Sequence, residues 1–193
     1  MIELESTPVI HALHRLALIH PLIGESIPGA ATLYVSAARP ELSMANLVDL
    51  LEASIDESVP VDASGPEPVT HVVEVVYDGA DLGDVAAITG LDVDEVVRRH
   101  TAPTYIVAFL GFSRGFPYLA GLDPSIMVPR LASPRTSVPA GSVAMGAGFT
   151  GIYPASSPGG WRLLGRTVAR FFDEHTDPPS TLQPGDRVTF RGV

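Results

Sequence analysis

An α+β fold in two domains is what this sequence predicts: a small α/β domain over residues 1–103, then a compact β-barrel or sandwich over residues 104–193. Three observations carry the prediction. Helical and β-branched segments mix in the first half. Beyond Thr101-Ala102-Pro103-Thr104, Gly and Pro cut short apolar runs every few residues as far as Pro184-Gly185-Asp186, the pattern of short strands and tight turns. The charge also changes sign there, with 17 acidic and 4 basic side chains before residue 104 but 5 acidic and 8 basic after it.

In chain order, Thr32 to Ser36 reads as a short strand. Ser43 to Ile55 reads as an amphipathic helix, with Ser43 as its cap and Leu47, Leu50, Leu51 and Ile55 at helical spacing. Val59 to Pro68 is rich in Pro, Asp, Ser and Gly and reads as a loop. His71 to Tyr77 is β-branched and reads as a strand ended by Asp78-Gly79. Two short helices follow, Asp81 to Thr89 with Gly90 as C-cap, and Asp92 to about His100. Tyr105 to Phe109 reads as a buried strand and Arg187 to Phe190 as the last one.

Composition removes several chemistries. The chain has no cysteine, so disulfides, thiolate metal sites and cysteine nucleophiles are excluded. All 12 cationic residues are arginine, which excludes a Walker A loop, a Schiff-base lysine and a biotin-carrier lysine. The net charge of −10 and the lack of a basic stripe argue against nucleic acid as partner. Val9 to Gly24 is apolar but holds His11, His14, Arg15 and His20 and is too short to span a bilayer. The acidic start, Met1 to Glu5, is unlike a signal peptide, so a cytoplasmic location is expected. The spacing of His11, His14 and His20 brings no third ligand with clear geometry, so no metal is expected on this chain.

A series of motifs runs from Gly111 to Asp186. It begins with Gly111-Phe112-Ser113-Arg114-Gly115-Phe116-Pro117-Tyr118 and continues through Gly121-Leu122-Asp123, Pro129-Arg130, Pro134-Arg135 and Val138-Pro139-Ala140-Gly141-Ser142-Val143. Thr150-Gly151-Ile152-Tyr153-Pro154, Ser157-Pro158-Gly159-Gly160-Trp161, Gly165-Arg166-Thr167 and Pro184-Gly185-Asp186 complete it. In order and spacing these resemble the KipI family, whose members are also called B-type subunits of 5-oxoprolinase or allophanate hydrolase subunit 1. Upstream, Val75 to Gly79, Asp81-Leu82, Val85-Ala86, Asp94 to Val96 and His100-Thr101 match the family's linker region, and the likeness fades before residue 70. The N-terminal domain therefore reads as shortened or divergent. Phe149 stands where the family typically has glutamine, exchanging an amide that donates and accepts for a ring that does neither.

The resemblance implies a cyclophilin-like β-barrel for the C-terminal domain, after a small α/β N-terminal domain. It also implies a subunit of a heteromeric, ATP-dependent amide or lactam hydrolase, foremost 5-oxoprolinase, which converts 5-oxoproline to glutamate. ATP belongs there to the complex. The implied partners are a companion of the type called the 5-oxoprolinase C-type subunit or allophanate hydrolase subunit 2, and a separate hydrolytic subunit. Two other functions remain open: an acceptor unit of the carboxyltransferase type in a urea carboxylase and allophanate pathway, and an inhibitor of a sensor histidine kinase.

The candidate site residues come from these motifs. Arg130 and Arg135 each follow a proline, and two guanidinium groups fixed in this way either clamp a carboxylate or phosphate or pair with carboxylates of the barrel or a partner. Gly159 and Gly160 either cradle an anion with backbone N–H groups or form a plain turn before Trp161. Arg166 and Thr167 add a charge and a hydroxyl to the anion site. Ser142 is outside any G-x-S-x-G elbow and is expected to act as a hydrogen-bonding residue rather than a nucleophile. His100, at a helix end, and Tyr153 are candidates for a site at the domain junction.

Overall fold

The computed structural model describes residues 1–3, 7–39, 45, 46, 49 and 67–193. Most of the helix expected over Ser43 to Ile55 and most of the loop expected over Val59 to Pro68 lie outside the described residues. The chain divides into two compact units, Met1–Pro68 and Val69–Val193.

In the first unit, strands β1 (Ile2–Glu3), β2 (Ile23–Pro28) and β3 (Thr32–Ala37) form an antiparallel sheet in the order β1-β3-β2. Helix α1 (Thr7–Ile19) lies against it. Ile10, Leu13 and Ala17 recur at helical spacing and meet Leu33 and Val35, which alternate along β3. Pro8 occupies the first helical turn, where its missing N–H is not needed. The four polar residues of the apolar stretch Val9 to Gly24 are thus those of a half-buried helix and its exit turn. His14 is buried, stands 2.9 Å from the Ser26 hydroxyl through Nδ1, and is held down to about 4 by burial, with His11 and Arg15 adding to the effect.

The second unit is a barrel. Strands β4 (Thr70–Val75), β5 (Tyr105–Leu110), β6 (Pro117–Ala120), β8 (Ser142–Gly146), β9 (Phe149–Ile152), β11 (Arg162–Arg166) and β12 (Arg187–Gly192) order as β11-β8-β9-β6-β5-β12-β4. All pairs are antiparallel except β12 with β4, which run parallel. The two edges then meet. Val76 and Arg166 exchange backbone hydrogen bonds of 2.9 Å, and the N–H groups of Gly79 and Asp81 donate to Leu164 and Leu163 at 3.0 and 3.1 Å. Glycine permits this approach: a Cβ at Gly79 would lie 2.3 Å from the Leu163 carbonyl oxygen, and one at Gly165 would lie 2.3 Å from that of Val76. Closure leaves neither edge strand unpaired along this seam.

Helices α2 (Leu82–Thr89) and α3 (Val93–Thr101) fill the connection from β4 to β5. Gly90 ends α2 at φ 71°, and the Asp92 side chain caps α3 by accepting from the Glu95 N–H at 2.7 Å. Leu82, Val85, Ala86 and Val96 enter the barrel core beside Val73, Tyr105, Leu119, Val143, Met145, Leu164 and Phe190. The sequence boundary drawn at residues 101–104 therefore falls inside the second compact unit. The non-local pairing of β4 with β12 and the burial of α2 and α3 draw residues 69–103 into it.

Outside the barrel wall, β7 (Arg135–Val138) and β10 (Ser157–Gly159) pair as a short antiparallel ribbon. A second apolar cluster lies beneath it, made of Phe116, Val138, Ala144, Tyr153, Trp161 and Leu163. This explains why every residue of β8 is buried: Val143 and Met145 point into the barrel and Ala144 points into the outer cluster. The molecule is an α+β protein with a small α/β unit followed by a cyclophilin-like barrel, as the sequence predicts.

Candidate functional site

A cleft of about 500 Å³ opens at one side of the barrel. Its walls are Gly115 of the β5–β6 loop, Ala140-Gly141 before β8, Ile152-Tyr153-Pro154 at the end of β9 and just beyond it, and the strap Thr167 to Phe172. Gly141 joins these walls: its N–H donates to the Tyr153 carbonyl at 2.7 Å and its carbonyl accepts from the Thr167 N–H at 2.8 Å. Gly115 sits against the Phe172 side chain, which would lie 2.6 Å from a Cβ there. Among the described lining residues Arg170 alone is charged.

Of the residues expected from sequence, Tyr153 and Thr167 line this cleft. Ser142 is one step away, with its carbonyl accepting from the Tyr153 N–H at 2.9 Å. The Thr167 hydroxyl accepts from the Ala169 N–H at 3.1 Å and so shapes the strap.

Arg130, Arg135, Gly159 and Gly160 gather around the β7–β10 ribbon on the other side of Tyr153. Gly159 pairs with Arg135, and a Cβ at Gly159 would stand 2.2 Å from the Tyr153 hydroxyl. Gly160 accepts at its carbonyl from the Leu131 N–H at 2.8 Å, which fixes the segment holding both arginines. Arg130 is exposed, its guanidinium 5.8 Å from the centre of the Trp161 ring. Arg135 Nη2 donates to Asp81 Oδ1 at 2.7 Å, while Asp81 Oδ2 accepts from the Leu163 N–H at 2.7 Å. Burial raises the Tyr153 hydroxyl above its ordinary pKa and Tyr118 adds to this, with Arg130 and Arg135 both pulling the other way.

Arg166 and His100 stand apart from both places. Arg166 is mostly exposed at the barrel seam, its Nε 2.8 Å from Asp78 Oδ2. His100 is sealed in the core. Its Nδ1 lies 2.7 Å from the Tyr77 hydroxyl and its Nε2 2.9 Å from the Thr150 hydroxyl, which itself donates to the Ala144 carbonyl at 3.0 Å. With its own hydrogen committed to Ala144, Thr150 accepts from Nε2–H, so Nδ1 accepts from Tyr77 and the ring is neutral. Burial pushes its pKa down to about 3. The ring lies tilted against Phe190, 4.7 Å between centres, and acts as a core residue.

Phe149 packs edge-on against Phe109 at 5.8 Å and Tyr118 at 5.6 Å, extending the outer aromatic cluster. Phe112 is 62% exposed with φ 63°, a left-handed conformation that a bulky residue rarely adopts, and its ring meets Phe116 and Tyr153. The sequence reading did not single out Asp81, Gly115, Gly141 or Ser157 as site residues. All four lie inside quoted motifs, where a short polar or glycine residue next to a turn is the available signal.

Among the described residues no three His, Asp or Glu side chains converge as metal ligands. The cleft, with one guanidinium, does not fit a triphosphate and its magnesium, so no ATP-dependent step is assigned to it.

Barrel closure, a glycine-walled cleft and an arginine-bearing ribbon define a protein of the cyclophilin-like barrel class. Within it, the chain belongs to the family described as carboxyltransferase domain, subdomain C and D, whose profile matches residues 2–182. This is the family of 5-oxoprolinase B-type subunits, or KipI family, that the motifs resemble. The chain is 43% identical over 173 residues to the B-type subunit of 5-oxoprolinase from Escherichia coli O157:H7, covering 88% of this chain and 78% of that one. It is 47% identical over 121 residues to the same subunit from Haemophilus influenzae, covering 61% of this chain and 57% of that one. A crystal structure of the conserved uncharacterized protein PH0987 from Pyrococcus horikoshii matches with TM-score 0.62 and 35% identity, over 100% of this chain and 90% of that one. The crystal structure of TTHA0988 matches with TM-score 0.83 and 34% identity over 100% of this chain, which spans 39% of that longer chain. The Kluyveromyces lactis urea amidolyase structure, at 20% identity and TM-score 0.68 over 96% of this chain and 13% of that one, shares the fold.

Proposed function

We propose that this chain is the B-type subunit of a multi-subunit, ATP-dependent 5-oxoprolinase, a hydrolase acting on a lactam C–N bond in the cytoplasm. The observation that carries the reading is the 43% identity to a 5-oxoprolinase B-type subunit across 88% of this chain. The site supports a non-autonomous role: cleft and ribbon supply hydrogen-bond donors and guanidinium groups, which bind and orient a small polar acid. Companion C-type and hydrolytic subunits complete the enzyme, and ATP is handled at that level. The test is reconstitution. Glutamate release from 5-oxoproline and ATP should require this chain together with its companions. Equal turnover by the companions alone would overturn the assignment.

A second reading, an acceptor unit of the carboxyltransferase type, is favoured by 30% identity over 117 residues to the urea amidolyase of Saccharomyces cerevisiae, which covers 56% of this chain and 6% of that one. Transfer of the carboxyl group to urea from a carboxybiotin-loaded carrier, catalysed by the reconstituted complex and leaving free biotin on the carrier, would select it over lactam opening.

A further inference from the structure

Two buried side-chain atoms of the described residues lack a hydrogen-bond partner, Arg135 Nη1 and Ser157 Oγ, and both belong to the β7–β10 ribbon. A buried donor left unpaired loses its hydration with nothing in return, so two in one short ribbon call for an explanation. They face inward. The Ser137 and Ser156 hydroxyls hydrogen-bond to each other at 2.9 Å on the exposed side, which turns their neighbours Val138 and Ser157 toward the barrel wall. Val138 is fully buried there. The wall opposite carries the Tyr153 hydroxyl, which reaches the ribbon beside Gly159, the partner of Arg135. Glycine at 159 leaves the room for it that any side chain would fill.

Charge points the same way. Arg135 gives one nitrogen to Asp81, and Arg130 rests on the Trp161 ring at the open edge of the ribbon. Among these three groups, two guanidinium ions and one carboxylate leave one positive charge over, the complement of a monoanion. Arg166, expected in the same site, is engaged with Asp78 at the seam.

We propose that the β7–β10 ribbon and Tyr153 enclose a carboxylate-binding site, in which the ligand oxygens accept from Arg135 Nη1, the Tyr153 hydroxyl and Ser157 Oγ while Arg130 closes the solvent side. Taking the ligand to be a small lactam acid rests on the 5-oxoprolinase reading; the anion site itself does not.

Calorimetric titration of the full chain with 5-oxoproline, its neutral analogue 2-pyrrolidinone, and acetate tests both levels. Of three variants, Tyr153→Phe and Ser157→Ala each remove one donor, Arg130→Gln removes the positive charge at the solvent side, and all leave the Arg135–Asp81 pair intact. The expected result is binding of 5-oxoproline at least about tenfold tighter than 2-pyrrolidinone, and about tenfold weaker in each variant at unchanged melting temperature. Equal binding of the neutral and carboxylated lactams overturns the site, as does wild-type affinity in all three variants or no binding of any carboxylate. Acetate binding as tightly as 5-oxoproline, with the same losses in the variants, keeps the anion site and removes the lactam as its ligand.

Discussion

Arg135 Nη2 lies 2.7 Å from Asp81 Oδ1, and this contact ties the β7–β10 ribbon to the seam at which the barrel closes. The carboxylate works in both directions, because its other oxygen accepts from the Leu163 N–H at 2.7 Å. Its side chain is 4% exposed, that of Arg135 28%. Asp81→Asn puts an amide NH₂ against a guanidinium or a backbone N–H. The expected loss is about 1.5–3 kcal/mol in urea unfolding. A loss under about 0.5 kcal/mol, the range of ordinary surface changes, would show that the pair holds nothing together.

The seam also sets a steric prediction. Gly79→Ala and Gly165→Ala each place a Cβ 2.3 Å from a backbone oxygen of the facing strand, where no rotamer relieves the contact. Each should destabilise by about 1–3 kcal/mol through backbone displacement. Gly83→Ala is the control. It lies in α2 with nothing within 4 Å, so it should be neutral or stabilising by up to about 1 kcal/mol. Thermal melts of the three variants check the order, and a Gly79→Ala protein as stable as wild type would refute barrel closure at this point.

His100 gives the barrel a pH dependence. Its pKa is near 3 in the folded chain against an ordinary 6.5, so between these values the unfolded state binds the extra proton. Stability therefore falls as pH drops from about 6.5 toward 3, with a slope approaching about 1.4 kcal/mol per pH unit from this group. Carboxylates and His14 titrate in the same range, so the readout is a difference. His100→Gln, which keeps a polar side chain between Tyr77 and Thr150, should flatten the urea midpoint against pH between 6.5 and 4. Identical slopes in the two proteins would mean that His100 is not neutral and buried.

Local pattern made some of this structure legible in the sequence. Gly90 and Asp92 end one helix and cap the next because cap chemistry is written in adjacent residues. Helix α1 carries Ile10, Leu13 and Ala17 at a visible spacing, but its apolar run with three histidines is tested in the sequence only against a membrane span and a metal site, and assigned to neither. The boundary at 101–104 followed composition, whereas the pairing of Thr70 with Arg187 that moves residues 69–103 into the barrel joins segments far apart in sequence. The site shows the same limit. Pro134-Arg135 and Ser157-Pro158-Gly159 are readable as motifs, but that Arg135 meets Asp81 and that Ser157 Oγ faces inward without a partner depend on tertiary pairing. Arg166 illustrates the converse: it sits in a motif, and only the fold places it beside Asp78.

The cleft wall offers the last prediction. Gly115 has φ 72°, and a Cβ there would lie 2.6 Å from Cβ and Cδ2 of Phe172 in the strap Thr167 to Phe172. Gly115→Ala thus carries two penalties, left-handed backbone strain of about 1–2 kcal/mol and a clash that pushes the strap outward. The two separate in a double-mutant cycle. Phe172→Gly removes both the clashing Cβ and the ring but leaves the backbone strain at 115, so Gly115→Ala should cost about 1–2 kcal/mol less in the Phe172→Gly background than in wild type. In the reconstituted complex, Gly115→Ala should also lower turnover, because the strap forms one wall of the cleft. Additive free energies would show that Gly115 and Phe172 do not touch, and the cleft would then lack the wall assigned to it.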